Sequence, residues 1–264
     1  MNSGFITYFT KGKVLNSVGT HQKFDKVAFR LIRPRVSSTK FPSRAQILKF
    51  EGMGGPDGLK MKSKKYRADH LWDPVNKIGN LPDWADVHYK NAVEALRAKD
   101  MIKASFELGF MAHYLTDSLT PAHHTNHKLI TAQYEDASKL KKNWVVWGRK
   151  GLVSSHMMFE GGVSTAIAFN KLRVSFDEDM YQRILTGGIK NVIEDESLRI
   201  AKLNLFDKYL KKGWTVGLAK TVKTVVVKRI PQLVAAAWLA AYTEAGNTPK
   251  VPMPKVKRKQ HVKN

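Results

Sequence analysis

The chain has no cysteine among its 264 residues, which excludes disulfides and thiolate metal ligands. Any bound metal must be held by imidazole, carboxylate, water or backbone oxygen. Acids are scarce: 22 Asp and Glu stand against 45 Lys and Arg, a formal charge of +23. That field draws polyanions such as nucleic acid, anionic lipid or a phosphorylated substrate, but it does not dictate a fold. Strand-like alternation is sparse. The longest apolar run, Ile230 to Ala241, contains Pro231 and follows Lys228-Arg229, so no transmembrane span is expected. Residues 1–20 carry Lys11 and Lys13 without a sustained apolar stretch. No signal peptide is therefore expected, and a cytoplasmic location is favoured over export.

What is present reads as helix. The apolar fraction of 43% is ample for a core. Phe24, Val27, Ala28 and Leu31 fall at helical spacing within 22–32. Residues 34–68, rich in Pro, Gly, Ser and Lys, read as a long irregular connection. Asp83 is placed to cap a helix over 84–98, and Asp100 the next one. In the latter, Ile102, Phe106, Gly109, Phe110, His113 and Asp117 recur at three- and four-residue steps. Thr120 precedes Pro121, a helix-ending step. Residues 124–153 form a polar, basic insertion bearing Trp144 and Trp147. Ser154 or Ser155 is placed to open a short helix that Gly161-Gly162 closes. Two helices follow over 178–212 and 214–229, parted near Gly213, then a terminal helix from Pro231 to Gly246. Val225 to Val227, being β-branched, also suits a strand. The sum is an all-α chain with one multi-helix domain over 1–246. The tail over 247–264 holds six basic residues, three prolines and no acid, and is expected to be disordered.

Two spacings carry chemistry. His113 and Asp117 are one helical turn apart, and His123 follows just past Pro121. His156 and Glu160 repeat the four-residue step. A carboxylate on the same face as Phe106 and Phe110 is costly to bury unless paired or metal-bound. Imidazoles and carboxylates suit Zn²⁺, and five of them exceed one tetrahedral ion, which points to a cluster. The competing reading is a capped helix end with surface histidines.

In order along the chain stand Ala-Asp-His-Leu-Trp-Asp-Pro at 68–74, His-x3-Asp-x5-His at 113–123 and His-x3-Glu at 156–160. With these motifs the chain resembles the zinc-dependent phospholipase C and S1/P1 nuclease superfamily, most densely over 67–127. Gly19-Thr20-His21 and Gly54-Gly55-Pro56-Asp57 look like the Thr-His opening and Pro-Asp loop of the phospholipase branch. The resemblance implies an all-α fold and two or three Zn²⁺ ions. It assigns Asp57, His70, His113 and Asp117 to the first ion, and His123, His156 and Glu160 to the second. His21 and a bridging Asp117 would serve a third. In relatives that third ion also binds the amino group of a mature N-terminal tryptophan. Here the first tryptophan is Trp72 and some twenty residues precede His21, so the third site needs another ligand or N-terminal processing, or is absent. The span between His123 and His156 is also longer than in the relatives.

The implied activity is phosphodiester hydrolysis, phospholipase C-like, by zinc-activated water that the catalytic Asp57 orients or deprotonates. The implied substrate is a phospholipid, with peripheral contact to an anionic membrane. A single-strand nuclease using the same metals is the alternative, with Lys60, Lys62, Lys64, Lys65 and Arg67 guiding the polyanion. A non-catalytic basic binding module stabilised by zinc is the third reading.

Overall fold

A computed structural model describes residues 19–51, 54–62, 70–124, 133–136, 138–148, 151–168 and 172–250. In chain order the helices are α1 Thr20–Ile32, α2 Arg44–Lys49, α3 Pro56–Lys62, α4 Leu81–Arg97, α5 Met101–Ser118, α6 Lys139–Trp147, α7 Leu152–Ala168, α8 Glu178–Gly187, α9 Ile189–Ala201, α10 Leu205–Lys212 and α11 Val216–Glu244. A 3₁₀ turn, Pro121–His124, follows α5. Among the described residues there is no strand, and one isolated antiparallel bridge joins Asp73 to Ile78. The fold is all-α.

Two helices form the centre. In α5 every residue from Glu107 to Ser118 is buried, and in α11 every residue from Leu233 to Tyr242 is. The alanines of α11 (Ala235, Ala236, Ala237, Ala240 and Ala241) bring neighbouring helices close, and α1, α4, α5 and α8 pack on it. Trp238 Nε1 donates to the Leu108 carbonyl at 3.1 Å, tying α11 to α5 in the dry interior. α4 and α5 form a tight pair across Ala98–Asp100, where Lys99 takes the left-handed conformation (φ 58°). Asp100 caps α5 as expected, its carboxylate accepting from Lys103 N–H at 2.9 Å. The helix stops at Leu119, one residue short of the Thr120–Pro121 step.

The structure corrects several boundaries. Asn80, not Asp83, takes the cap position of α4, and Pro82 lies in its first turn, where a missing N–H costs nothing. The connection over 34–68 contains α2 and α3. α7 runs through Gly161 and Gly162 rather than ending there, and Ser154 and Ser155 lie inside it. Burial against the protein overrides the glycine penalty. The 178–212 stretch is three helices, parted by Gly188 (φ 80°) and Asn204 (φ 50°). The expected break before Pro231 does not occur: α11 is continuous, and Val222–Val226 form a widened π turn rather than a strand. That turn ends beside Val227, the residue whose carbonyl the Pro231 ring would crowd. Ile102 is exposed rather than packed beside Phe106, although Met101 and Ala104 in the same turn face the core.

By length and composition alone α11 could cross a membrane, but 72% of its apolar stretch is buried inside the protein. A core helix surrounded by partners reads the same way in sequence. The charged tail beyond residue 250 lies outside the described residues, as do Lys64, Lys65 and Arg67.

Candidate metal centre

Five elements converge on Asp117. It sits in the last turn of α5, below His113 on the same face, and is buried. The chain then turns through Thr120, whose N–H bonds the Asp117 carbonyl at 3.0 Å, and the 3₁₀ turn folds His123 back over the helix end. The 70–73 segment is laced to that turn. Trp72 N–H donates to the His123 carbonyl at 3.0 Å, and His123 Nδ1 meets the His70 carbonyl at 2.8 Å. The bridge from Asp73 to Ile78 closes the segment, and Gly79 (φ +115°) follows, where a Cβ would lie 2.3 Å from the Leu71 carbonyl oxygen. α1 delivers His21, α3 delivers Asp57 in its first turn, and α7 delivers His156 and Glu160. Gly55 is required just before α3, because a Cβ there would fall 2.5 Å from the Glu51 carbonyl oxygen.

The distances describe three adjoining donor sets. His21, His113 and Asp117 form one, Asp57, His70 and His113 a second, and His123, His156 and Glu160 a third. Asp117 joins them. Its Oδ2 lies 2.8 Å from His70 Nδ1 and 3.3 Å from His113 Nε2, while its Oδ1 lies 3.4 Å from His123 Nε2 and 3.5 Å from His21 Nε2. Glu160 Oε1 lies 3.0 Å from His123 Nε2 and 2.8 Å from His156 Nε2. Asp57 Oδ2 stands further off, 3.9 Å from His113 Nε2, with its side chain 31% exposed. All eight residues named from the sequence therefore meet in one place, seven of them well shielded and Asp57 at the edge.

Two buried carboxylates were not foreseen. Glu51, fully buried in the loop after α2, places Oε1 3.2 Å from His113 Nδ1 in a hydrogen bond. The same oxygen lies 2.6 Å from His21 Nδ1, an ion-pair contact without hydrogen-bond alignment. By engaging Nδ1 of both rings, Glu51 leaves both Nε2 atoms directed at Asp117, the usual arrangement behind a metal-ligating histidine. Asp25 lies one turn beyond His21, and neither of its carboxylate oxygens has a hydrogen-bond partner among the described residues. Its spacing from His21 was legible in the sequence; Glu51, isolated in a loop, offered no pattern.

The electrostatics follow from burial against charge. Burial alone would lower the His113 pKa, but the carboxylates of Asp117, Glu51 and Asp57 outweigh it and hold it well above the ordinary value. Burial would raise Asp117, yet the imidazoles of His123, His113 and His70 hold it well below. Asp25 is raised well above its usual range by burial and by Glu51. His124, beside the set, donates to the Ser118 carbonyl at 2.7 Å, and burial depresses its pKa to about 4. His88 pairs with Glu107 at 2.6 Å and stacks on Tyr114, outside the three sets.

This donor set fits a divalent cation. Among the described residues no lysine or arginine forms an ion pair with Asp25, Glu51 or Asp117, and the buried Asp117 Oδ1 and Glu51 Oε2 lack hydrogen-bond partners. With Nδ1 of His123 spent on the His70 carbonyl, a neutral ring turns its Nε2 lone pair toward Glu160 Oε1. Two acceptors 3.0 Å apart require a proton or a cation between them. Imidazole and carboxylate without thiolate suit zinc.

Residues 56–219, more than half of the chain and most of this site, match the family described as zinc dependent phospholipase C. The chain belongs to the zinc-dependent phospholipase C family. Among solved structures, the Clostridium perfringens alpha-toxin from an avian strain is similar over 86% of this chain, with a TM-score of 0.58 and 15% identity. The alpha toxin of Clostridium absonum is similar over 88%, with a TM-score of 0.56 and 15% identity. At that identity the likeness shows the fold. The chain covers 63% and 65% of those two chains, less than two thirds of either. No curated protein matches the sequence. In a zinc-dependent family, the buried imidazole–carboxylate sets have a physical reason to exist: the cation supplies the charge that the side chains lack.

Proposed function

We propose that the protein hydrolyses phosphodiesters in the manner of a phospholipase C, with two or three Zn²⁺ ions held around Asp117. The convergence of three donor sets on that one buried carboxylate carries the reading. Asp57, His70, His113 and Asp117 would hold one ion, and His123, His156 and Glu160 another. His21 with Asp117 would contribute to a third, backed by Glu51. Bound there, zinc supplies acidity to a water and positive charge to a phosphate.

The protein's own groups do the rest. Asp57 is the one carboxylate of the set that reaches the solvent edge, within 3.9 Å of His113 and on the first turn of α3. It is placed to orient a water and accept its proton. Asp117 and Glu160, shielded from solvent, keep the histidine nitrogens directed inward and reorganise little as charge moves to phosphorus. The excess of lysine and arginine favours approach of an anionic diester.

Turnover of phosphatidylcholine, anionic phospholipid and single-stranded DNA by the purified protein, with elemental analysis and with or without chelator, tests the proposal. Phospholipid turnover that chelator abolishes and zinc restores is the expected result. DNA cleavage alone would move the protein to the nuclease alternative. Zinc content without turnover of any diester would leave a metal-stabilised binding module. In zinc-saturated buffer, with His70, His113 and Asp117 left to hold the ion, Asp57→Asn is expected to fold and stay zinc-loaded while losing roughly 100-fold or more in turnover.

A further inference from the structure

A groove along the outer side of α1 is lined with cations. Lys26, Arg30 and Arg33 follow at steps of four and three, so they share one stripe of the helix. The opposite face of α1 carries His21 and Asp25. Arg44, at the start of α2, and Lys250 line the same cavity, whose volume is about 830 Å³. Lys250 is held there by its N–H, which donates to the Arg35 carbonyl at 2.8 Å. Among the described residues no acid lines the groove, and none of the five cations forms an ion pair. Arg30 gives one N–H to the Leu172 carbonyl and keeps its other donors for a ligand.

Like charges crowded into one hollow repel one another. Burial, and after it the charges of Arg44 and Lys23, hold the Lys26 ammonium below its ordinary pKa. An anion in the groove would relieve that cost. General basicity scatters lysines over a solvated surface; it does not gather five cations in a cavity without an acid. Between the cations the lining is apolar, with Val27, Phe41 and Pro42 beside the partly exposed ring of Phe29.

We propose that this groove binds a polyphosphate-bearing small molecule of the size of a nucleoside triphosphate. The stripe on α1 rises about 10 Å from Lys26 to Arg33, longer than one phosphate and suited to a chain of linked phosphates. Guanidinium groups meet phosphate oxygens in pairs. The cavity lies within the usual size of small-molecule sites, and its apolar lining offers a seat for a base. A single-stranded nucleic acid instead tracks along a series of stacked rings, and this groove presents one partly exposed ring. The groove shares no residue with the three metal donor sets, so binding here is independent of the catalytic reading.

The test titrates the full, zinc-loaded chain into fluorescently labelled ATP at about 0.15 M salt, where diffuse attraction is screened. Saturable binding is expected, with competition by tripolyphosphate and none by adenosine. Arg33→Glu/Arg44→Glu is expected to weaken binding about 10-fold or more while keeping its circular dichroism. Lys208→Glu/Lys212→Glu on α10 makes the same change of charge away from the groove and should stay within about twofold of wild type. If the groove variant does not fold, Arg33→Gln alone is measured, with an expected loss of about threefold or more. ATP bound more tightly than tripolyphosphate would place the base on the apolar lining, and equal binding would assign the phosphate chain alone; either supports the site. Equal losses in the two double variants, no saturable binding, or competition by adenosine would each overturn it. So would binding that vanishes with zinc but not with the groove variant, or an oligonucleotide that outbinds ATP through the same residues. A protein that binds ATP here yet turns over no diester would sink the catalytic reading and leave the groove in place.

Discussion

Asp117 shows what one buried carboxylate must have around it. Taking that charge out of water costs several kcal/mol unless opposite charge is supplied, and the imidazoles of His21, His70, His113 and His123 surround it. Glu51 acts one layer out, on the far nitrogens of His21 and His113. Glu51→Gln keeps the size but removes the charge that fixes both rings. It is expected to weaken zinc binding by about 10- to 100-fold, read by competition with a chromogenic chelator. Binding equal to wild type would show that the two rings hold their orientation without it. The four-residue steps made His113–Asp117 and His156–Glu160 legible in the sequence, because a helix turns spacing into proximity. Glu51 was illegible because only the packing of α2 on α5 and α1 brings its loop to the site.

At the level of elements, short irregular pieces position the site and long helices support them. The 70–79 segment holds His70 through two hydrogen bonds to His123 and one bridge, and it turns on Gly79. A side chain at Gly79 meets both an unfavourable φ of +115° and the Leu71 carbonyl. Gly79→Ala is therefore expected to cost about 1–3 kcal/mol, seen as a lower midpoint in urea, and to loosen zinc because His70 moves with the turn. An unchanged midpoint would show that the turn relaxes freely. The proline and glycine signals misled where burial outweighed them. Pro231 and Gly161-Gly162 read as helix ends, yet α11 and α7 run through them, since packed faces offset a lost backbone bond or a flexible residue.

Across the molecule, another buried carboxylate, away from the metal centre, does structural work. Glu196 on α9 is fully buried and receives Arg229 of α11 at 2.7 and 2.9 Å and Arg183 of α8 at 2.8 Å. Burial would raise its pKa, but the hydrogen bonds and charge of Arg229 and Arg183 lower it. A depressed carboxylate stabilises the fold above its unfolded value near 4.5 and loses that contribution as pH falls through the lower folded value. Glu196→Gln is expected to cost about 3–5 kcal/mol at neutral pH, and the gap from wild type in thermal melts should narrow as pH drops below about 4.5. A gap independent of pH would refute the ion-pair account. From the sequence alone came the helical class, the exclusion of thiolate chemistry and the ordered imidazole–carboxylate spacings, because these depend on residue type and local periodicity. The tertiary structure decided which distant elements meet: that Asp117 is shared among three donor sets, that Glu51 and Asp25 lie behind them, and that α6 turns its tryptophans outward. Such facts depend on contacts between residues far apart in the chain, which a local spacing such as that of His21 and Asp25 does not decide.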